Sequence, residues 1–492
     1  MSDKNNTTVE FGDFQTPDIL SDKICNLLVD LSVAPNSVVE PTCGTGSFLR
    51  ASAKAFPDCR QILGFDINPN YVLASQTVER AIVQCDDFFR KDWNSTLNTL
   101  KEPILLLGNP PWVTNAEVSR ISGKNLPKKA NIHRLNGLDA LTGKSNFDIS
   151  EWMLNRLLEL LSGKSAVLAM LCKTVVARKV LQYAWNKRLQ IKSSATYSVN
   201  AQEHFGASVD ACLLVCTLEP GASSQECEIY LHLDESTAYS KFAFRNGRLV
   251  ANLSAFEKFG YLQGRSSLKW RSGIKHDCSR IMELHVCGPQ SFKNGFGDVV
   301  TLEPTFLYPM FKSSELAKET SEPSRYMLVT QRHVGEDTST IQHKAPRTWE
   351  YLEKYGEHLD RRASSIYRNR PRFSMFGVGP YAFSPWKVAI SGFYKNLRFR
   401  SIGPLDGKPT VFDDTCYFLP CQSEDEAQEI LKLLISQAAR GFFDSFVFWD
   451  AKRPITADIL GLLNLGALAM ELGVSLPGAV ENTMELPLWQ SQ

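Results

Sequence analysis

The sequence predicts an α/β protein: a doubly wound parallel sheet in the first part of the chain, followed by an α+β domain. Three observations carry this. Four short β-rich runs, Val38 to Glu40, Ile62 to Asp66, Ile82 to Cys85 and Ile104 to Gly108, alternate with helical stretches, the rhythm of parallel strands joined by crossover helices. Each run delivers a polar residue at its carboxyl end, namely Glu40, Asp66, Asp86-Asp87 and Asn109, and open α/β sheets bind ligands at that edge. After the apolar strand Ala211 to Thr217 the rhythm stops, and the composition breaks at Glu219-Pro220-Gly221-Ala222-Ser223-Ser224-Gln225.

The first run enters Pro41-Thr42-Cys43-Gly44-Thr45-Gly46-Ser47 and then the apolar-periodic Phe48-Leu49-Arg50-Ala51. This reads as strand, Gly-rich turn and helix start. Gly44 and Gly46 lack Cβ, so a ligand can approach the backbone and positive φ costs little. The turn has neither the full Gly-x-Gly-x-x-Gly spacing nor a Walker lysine, which argues against a dinucleotide or triphosphate and suits a nucleoside without phosphates. Asp66 follows Glu40 by 26 residues, close to where dinucleotide-binding folds place the acid that takes ribose hydroxyls. A plain turn, a helix cap and a solvated acidic loop are the bland readings of these pieces. Four such signals in register favour the ligand edge.

The fourth run ends in Asn109-Pro110-Pro111-Trp112. The Asn109 side-chain carbonyl and the Pro110 carbonyl can both accept hydrogen bonds from an NH2 group. Proline fixes φ and lacks an N–H, so that carbonyl is aimed by a stiff backbone. Trp112 offers a face for stacking a base, worth about 1–3 kcal/mol. The set suits holding a planar exocyclic amine for alkylation. Asn-Pro-Pro is also an ordinary exit from a strand, and the upstream context decides between the two.

This order of motifs resembles the amino group of S-adenosylmethionine-dependent DNA methyltransferases, in the gamma arrangement that methylates adenine N6 in bacterial restriction–modification systems. The resemblance covers about residues 11–218. It implies a Rossmann-like class I methyltransferase sheet in a catalytic domain, 1–220, and a C-terminal α+β target-recognition domain, 226–492. Phe14-Gln15-Thr16-Pro17 stands in the place of the cofactor motif that precedes the Gly-rich turn. S-adenosylmethionine is then expected at Thr16, Pro17, Glu40, Pro41, Thr42, Gly44, Gly46, Asp66, Ile67, Asp87, Phe88, Asn109 and Phe147. Lys144 to Asp148 resembles the motif that closes the adenine pocket, and Ser165 to Leu171 the strand after it. His204 to Val209 resembles the motif whose aromatic ring, here Phe205, stacks on the target base. The implied catalytic set is Asn109, Pro110, Pro111 and Trp112, with Trp112 and Phe205 sandwiching an adenine flipped out of the duplex. Trp112 stands where Tyr is commoner and Cys43 sits inside the turn; neither removes a required hydrogen-bonding group.

At 492 residues and 43% apolar content, the chain can bury a large core and should form two or more domains. Lys+Arg of 54 against Asp+Glu of 53 leaves a net charge of +1, so any nucleic-acid surface is a local patch. The 12 cysteines are scattered, without Cys-x-x-Cys or zinc spacing; they read as reduced thiols of a cytoplasmic protein, and no metal is expected. The polar N-terminus leads to the expectation of no signal peptide, and no apolar run approaches the roughly 20 residues that span a bilayer, so no membrane partner is expected. The expected partner is double-stranded DNA, with the chain a monomer working alongside a cognate restriction endonuclease.

Residues 361–400 hold nine basic residues, Arg361, Arg362, Arg368, Arg370, Arg372, Lys387, Lys395, Arg398 and Arg400, with nine aromatics and no acid. Cations interleaved with aromatics fit phosphate contacts plus stacking or groove insertion; a solvated basic face over an aromatic core is the alternative. An acid-free segment with Lys124, Lys128, Lys129 and Arg134 reads as a loop over the active-site mouth or as a linker. Arg271, Lys275 and Arg332 are lesser candidates for DNA contacts. Two rival functions stand beside the main one. The first is a methyltransferase of another planar amine (cytosine N4, an rRNA base or a protein glutamine), and the second is a non-catalytic DNA-binding module.

Overall fold

A parallel strand covered on both faces reads as an unbroken apolar run rather than an alternating one, and Ile104–Gly108 is buried at all five positions. In the computed structural model, which describes residues 14–113, 148–288, 290–318, 320 and 322–475, this strand lies inside a ten-stranded sheet. The first seven strands are β1 (Ser37–Glu40), β2 (Gln61–Asp66), β3 (Ala81–Cys85), β4 (Ile104–Gly108), β5 (Ala166–Lys173), β6 (Ile191–Val199) and β7 (Ala211–Leu218). They lie side by side in the order β3-β2-β1-β4-β5-β7-β6. The first five are parallel, and β7 runs antiparallel to both of its neighbours. The order reverses between β1 and β4, the switch point at which a doubly wound sheet opens a crevice at its carboxyl edge.

Helices start where the sequence allows. α1 (Asp18–Asp30) follows Pro17 and buries Leu20, Ile24, Leu27 and Leu28, an i, i+4, i+7, i+8 stripe. α2 (Ser47–Ala55) begins after Gly46, which holds φ +85°. The two helices are joined by Arg50 to Asp18 at 2.6 Å and Lys54 to Asp22 at 3.1 Å. α3 (Pro69–Ser75) and α4 (Trp93–Asn98) are capped by Asn68 and Asp92, and α5 (Ile149–Leu161) by Asp148, each side chain accepting from a first-turn N–H. α6 (Thr174–Asn186) follows β5 directly, and the short α7 (Ala201–Phe205) ends at Gly206. Among the described residues no helix is long and apolar enough to cross a membrane.

The chain divides into two compact units, Met1–Leu253 and Ser254–Gln492. The division falls later than the composition break at 219–225, which is a connecting loop. Beyond it β8 (Glu226–Tyr230) pairs parallel with β6. β9 (Ser240–Arg245) and β10 (Arg248–Val250) then extend the sheet as a hairpin, turned at Asn246 and Gly247 with φ of 52° and 76°, the two positive values of a type I′ turn.

The second unit is α+β. A six-stranded sheet runs Val299–Thr301, Ser291–Lys293, Glu283–Gly288, Arg325–Leu328, Leu307–Phe311, Val411–Phe412; a four-stranded sheet runs Arg271–Ser272, Cys416–Cys421, Trp386–Ser391, Arg400–Ile402. Helices Glu424–Leu434 and Gln437–Phe446 are capped by Ser423 and Ser436. The sheets are stitched together at Gly273, whose N–H donates to Cys416 at 3.0 Å, and at Ile274, which donates to Phe412 at 2.7 Å. A Cβ on Gly273 would collide with the Asp413 carbonyl and lie 2.6 Å from the Phe412 oxygen. Gly273→Ala is therefore expected to lower stability by about 1–3 kcal/mol, the usual cost of overpacking, read as an earlier urea midpoint.

Candidate active site

A cleft of about 800 Å³, including its open mouth, lies at the carboxyl edge of the first sheet, where the ends of β1, β2 and β4 meet. Of the residues singled out in the sequence, Thr16, Glu40, Pro41, Thr42, Gly44, Asp66, Ile67, Phe88, Asn109 and Pro111 line it. Pro17, Gly46 and Asp87 do not. Pro17 offers its carbonyl to Leu20 and Ser21 at the start of α1. Gly46 shapes the turn from beneath, where a Cβ would press on Ser75 at 3.0 Å. Asp87 turns back to accept from the Phe89 N–H at 2.9 Å and to pair with Arg90; its neighbour Asp86 faces the cleft instead. In a pair of adjacent acids the sequence carries no signal for which one points inward. The cleft also takes in Phe14, Gln15, Asn68, Tyr71, Phe89 and Met153, of which Phe14 and Gln15 were legible as part of the N-terminal motif. Phe147, Lys124, Lys128, Lys129 and Arg134 lie outside the described residues.

The wall is acidic. The Asp66 carboxylate accepts from the Gly44 N–H and the Asn68 N–H, both at 2.8 Å, one on each oxygen. Asp86 is held by Lys91 at 2.9 Å, whose ammonium stands 4.1 Å from the centre of the Phe65 ring. Glu40 is 2% exposed and its Oε2 has no hydrogen-bond partner. Burial first, and then the neighbouring Asp66 charge, push its carboxyl well above the usual carboxylate range.

At the end of β4, Asn109 donates through Nδ2 to the Phe14 carbonyl at 2.9 Å, while its Oδ1 is buried without a partner. Since a carbonyl only accepts, this contact fixes the amide with its oxygen turned the other way. Phe14 is in turn seated by Gln15, whose Oε1 accepts from the Thr45 N–H at 3.0 Å and the Thr45 hydroxyl at 3.2 Å. A Cβ on Gly44 would meet that same Oε1 at 2.5 Å.

The aromatic arrangement differs from the expected sandwich. Trp112 is 5% exposed and donates from Nε1 to the Leu171 carbonyl at 3.4 Å. Its ring meets Phe205 edge-on, with centroids 5.1 Å apart at 70°, and Phe14 at 6.0 Å. A base between two ring faces needs two gaps of about 3.5 Å, hence about 7 Å between rings. Trp112 and Phe205 pack on one another as core, and a base reaches between them only if Phe205 swings away. Pro110 is buried beside them.

In the second unit the basic window is less free than its composition suggests. Lys387 is 1% exposed, donating to the Ser384 carbonyl at 2.5 Å. Arg362 donates to the carbonyls of Leu359, His276 and Ser374 and stacks on Tyr367. Arg372 is clamped by Glu353 at 2.8 Å and Asp360 at 3.1 Å, acids that sit just outside the acid-free stretch. Arg400 donates to the carbonyls of Glu315 and Thr320. Lys387, Arg362 and Arg400 leave the candidate surface, because burial or internal carbonyls claim them, whereas Arg372 stays exposed with its charge paired to the two acids. Arg361 pairs with Glu357 on the surface at 3.1 Å. Arg271 covers Tyr381, Lys275 faces Asp277 at 3.4 Å, and Arg332 donates to the Tyr308 hydroxyl at 3.2 Å. Arg368, Arg370, Lys395 and Arg398 are exposed.

No protein-family model matches the chain. The chain is similar to the type II methyltransferase M.NspV of Nostoc sp., with 46% identity over 471 residues, covering 94% of this chain and 98% of that protein. It is also similar to the type II methyltransferase M.CvrRI of Paramecium bursaria Chlorella virus XZ-6E, 30% identical over 103 residues, 21% of this chain and 25% of that one. Among solved structures, the type IIL restriction–modification enzyme MmeI in complex with DNA shares the fold at a TM-score of 0.52 and 13% identity. That match covers 90% of this chain, which spans 64% of the MmeI chain.

Glu40 supplies a pH test of the cleft. Its carboxyl carries a proton over a wider pH range than an ordinary one, and binding a cationic ligand against Oε2 would expel that proton. Affinity for S-adenosylmethionine, the donor that the motif order implies, should therefore rise with pH by at most about tenfold per unit until the raised pKa is passed. Calorimetry across pH should show this slope in the parent and none in Glu40→Gln.

Proposed function

The chain belongs to the type II methyltransferases of restriction–modification systems, and on that premise we propose that it methylates the N6 amino group of an adenine flipped out of duplex DNA. When bound, S-adenosylmethionine supplies a methyl sulfonium, already a strong electrophile. The cleft fits such a donor. Three carboxyl side chains, Glu40, Asp66 and Asp86, line it, a wall that disfavours phosphates and favours a cationic nucleoside. Asp66, with both oxygens oriented by backbone amides, would hold the ribose hydroxyls. Glu40 would meet the cationic methionine end, and Asp86 and Phe88 the adenine.

The observation that carries the reading is the buried, unpartnered Oδ1 of Asn109. A buried acceptor left unsatisfied costs about 1–3 kcal/mol, and an incoming N6–H relieves that cost. Asn109 and the Pro110 carbonyl would together take both N6 hydrogens. This favours a pyramidal nitrogen and concentrates on it a lone pair otherwise delocalised into the ring. The chain's contribution is then orientation and electrostatics rather than a covalent nucleophile. An adenine inside a duplex is out of reach until it leaves the stack, and Phe205, moving off Trp112, supplies a ring to receive it. The second unit reads the DNA, with Arg368, Arg370 and Lys395 on the phosphates, and a cognate endonuclease cleaves the same unmodified sequence.

Asn109→Ala should leave cofactor affinity largely intact and lower single-turnover methyl transfer by about two to three orders of magnitude, the loss seen when one preorganised transition-state partner goes. Mass spectrometry of the digested DNA identifies the product. Methylcytosine, or methylated protein with unmodified DNA, would move the function to another planar amine. A parental rate in this variant would remove Asn109 from the chemistry.

Replacing Arg368, Arg370 and Lys395 together by Ala should weaken DNA binding and flatten its salt dependence by about one counterion for each phosphate no longer neutralised. Cofactor affinity should stay at the parental value. An unchanged salt slope would make these cations a solvated face.

A further inference from the structure

We propose that Lys173 is a positioning residue for methyl transfer, acting through the exit of the Asn109–Trp112 turn; this rests on the reading of Asn109 above. β4 and β5 are registered with Gly108 opposite Met170, so the end of β5 runs alongside the tetrapeptide as it leaves the sheet. There the Lys173 ammonium donates to the Trp112 carbonyl at 2.9 Å and to Asp148 Oδ2 at 2.7 Å. From the same strand end, the Leu171 carbonyl accepts from Trp112 Nε1. Trp112 is thus gripped at its backbone and at its ring by two β5 residues. The Asp148 side chain is 8% exposed, and its other oxygen accepts from the Ser150 N–H and hydroxyl at 3.1 and 2.5 Å, which fixes the start of α5. The Ile149 N–H donates to the Val113 carbonyl at 2.9 Å.

Lys173 therefore joins three things that must keep register: the exit of the tetrapeptide, the cap of α5 and the sheet edge. Pro110 and Pro111 pass that anchoring back to Asn109 with little slack, because two proline rings lock two consecutive φ angles. Lys173 does not line the cleft, so its influence is on the acceptor rather than on the donor.

The test compares Lys173→Met, Lys173→Arg and Asp148→Asn with the parent in single-turnover methylation of duplex DNA. Cofactor affinity is measured by calorimetry and Tm by thermal scan. Lys173→Met should slow methyl transfer by about 10–100-fold, the scale of a misplaced reacting group, with cofactor affinity unchanged. Lys173→Arg, which keeps the charge and the donors, should recover part of the rate. Asp148→Asn keeps a good helix cap and puts an amide NH2 where Oδ2 faced Lys173, removing both the ion pair and its hydrogen bond; it should be slowed as well, and it decides the matter should Lys173→Met not fold. A lowered Tm with a parental rate, in either variant, overturns the proposal and leaves Lys173 a structural ion pair. If the parent itself yields no N6-methyladenine, the failure lies with the proposed function rather than with Lys173.

Discussion

The hydrogen bond from Asn109 to the Phe14 carbonyl is the constraint on which the rest of the site depends. A primary amide has an accepting end and a donating end of nearly the same shape, and only its neighbours decide which is presented. The backbone carbonyl behind Asn109 decides it here. That carbonyl comes from 95 residues earlier in the chain, so Phe14, just before α1, belongs to the same cleft as Asn109. Phe14 holds its place because Gln15 is seated on the Gly-rich turn, and Gln15 fits there because Gly44 has no side chain to exclude it. One missing Cβ in the Gly-rich turn thus propagates to the orientation of an amide at the neighbouring strand end.

The same edge brings the carboxyl groups of Glu40, Asp66 and Asp86 together. Asp66 and Asp86 are each compensated, the first by two backbone amides and the second by Lys91. Glu40 is buried, and its Oε2 has no partner. Two unsatisfied acceptors, Glu40 Oε2 and Asn109 Oδ1, thus stand at the ends of the adjacent strands β1 and β4. Buried polar groups in folded proteins are almost always paired. Two of the exceptions among the described residues stand on this one cleft.

Much of this was legible in the sequence because the signals were local. Each of the four strands ended at a polar residue that lines the cleft, and strand end, Gly-rich turn and Asn-Pro-Pro-Trp are all short-range patterns. What stayed hidden depends on contacts between distant residues. The rotation that turns Asp86 inward and Asp87 back onto Phe89 is set by the turn after β3. The internal partners of Arg362, Arg372, Lys387 and Arg400 arrive from residues up to 86 positions away. A window free of acid in sequence is not free of acid in space, because Glu353 and Asp360 fold back from just outside it. The edge-on packing of Trp112 and Phe205 was likewise invisible, since it depends on how α7 is set against the sheet.

The parallel seating of β8 on β6 bears on where this chain can be cut. A fragment ending at the composition break near residue 220 would leave β6 as an outer strand, with its row of backbone N–H and C=O groups open along one side. Such an edge is a template for pairing with another copy of itself. The hairpin β9–β10 and the strand β8 are therefore the lateral cover of the first sheet. The smallest fragment that keeps this cover extends to about Leu253.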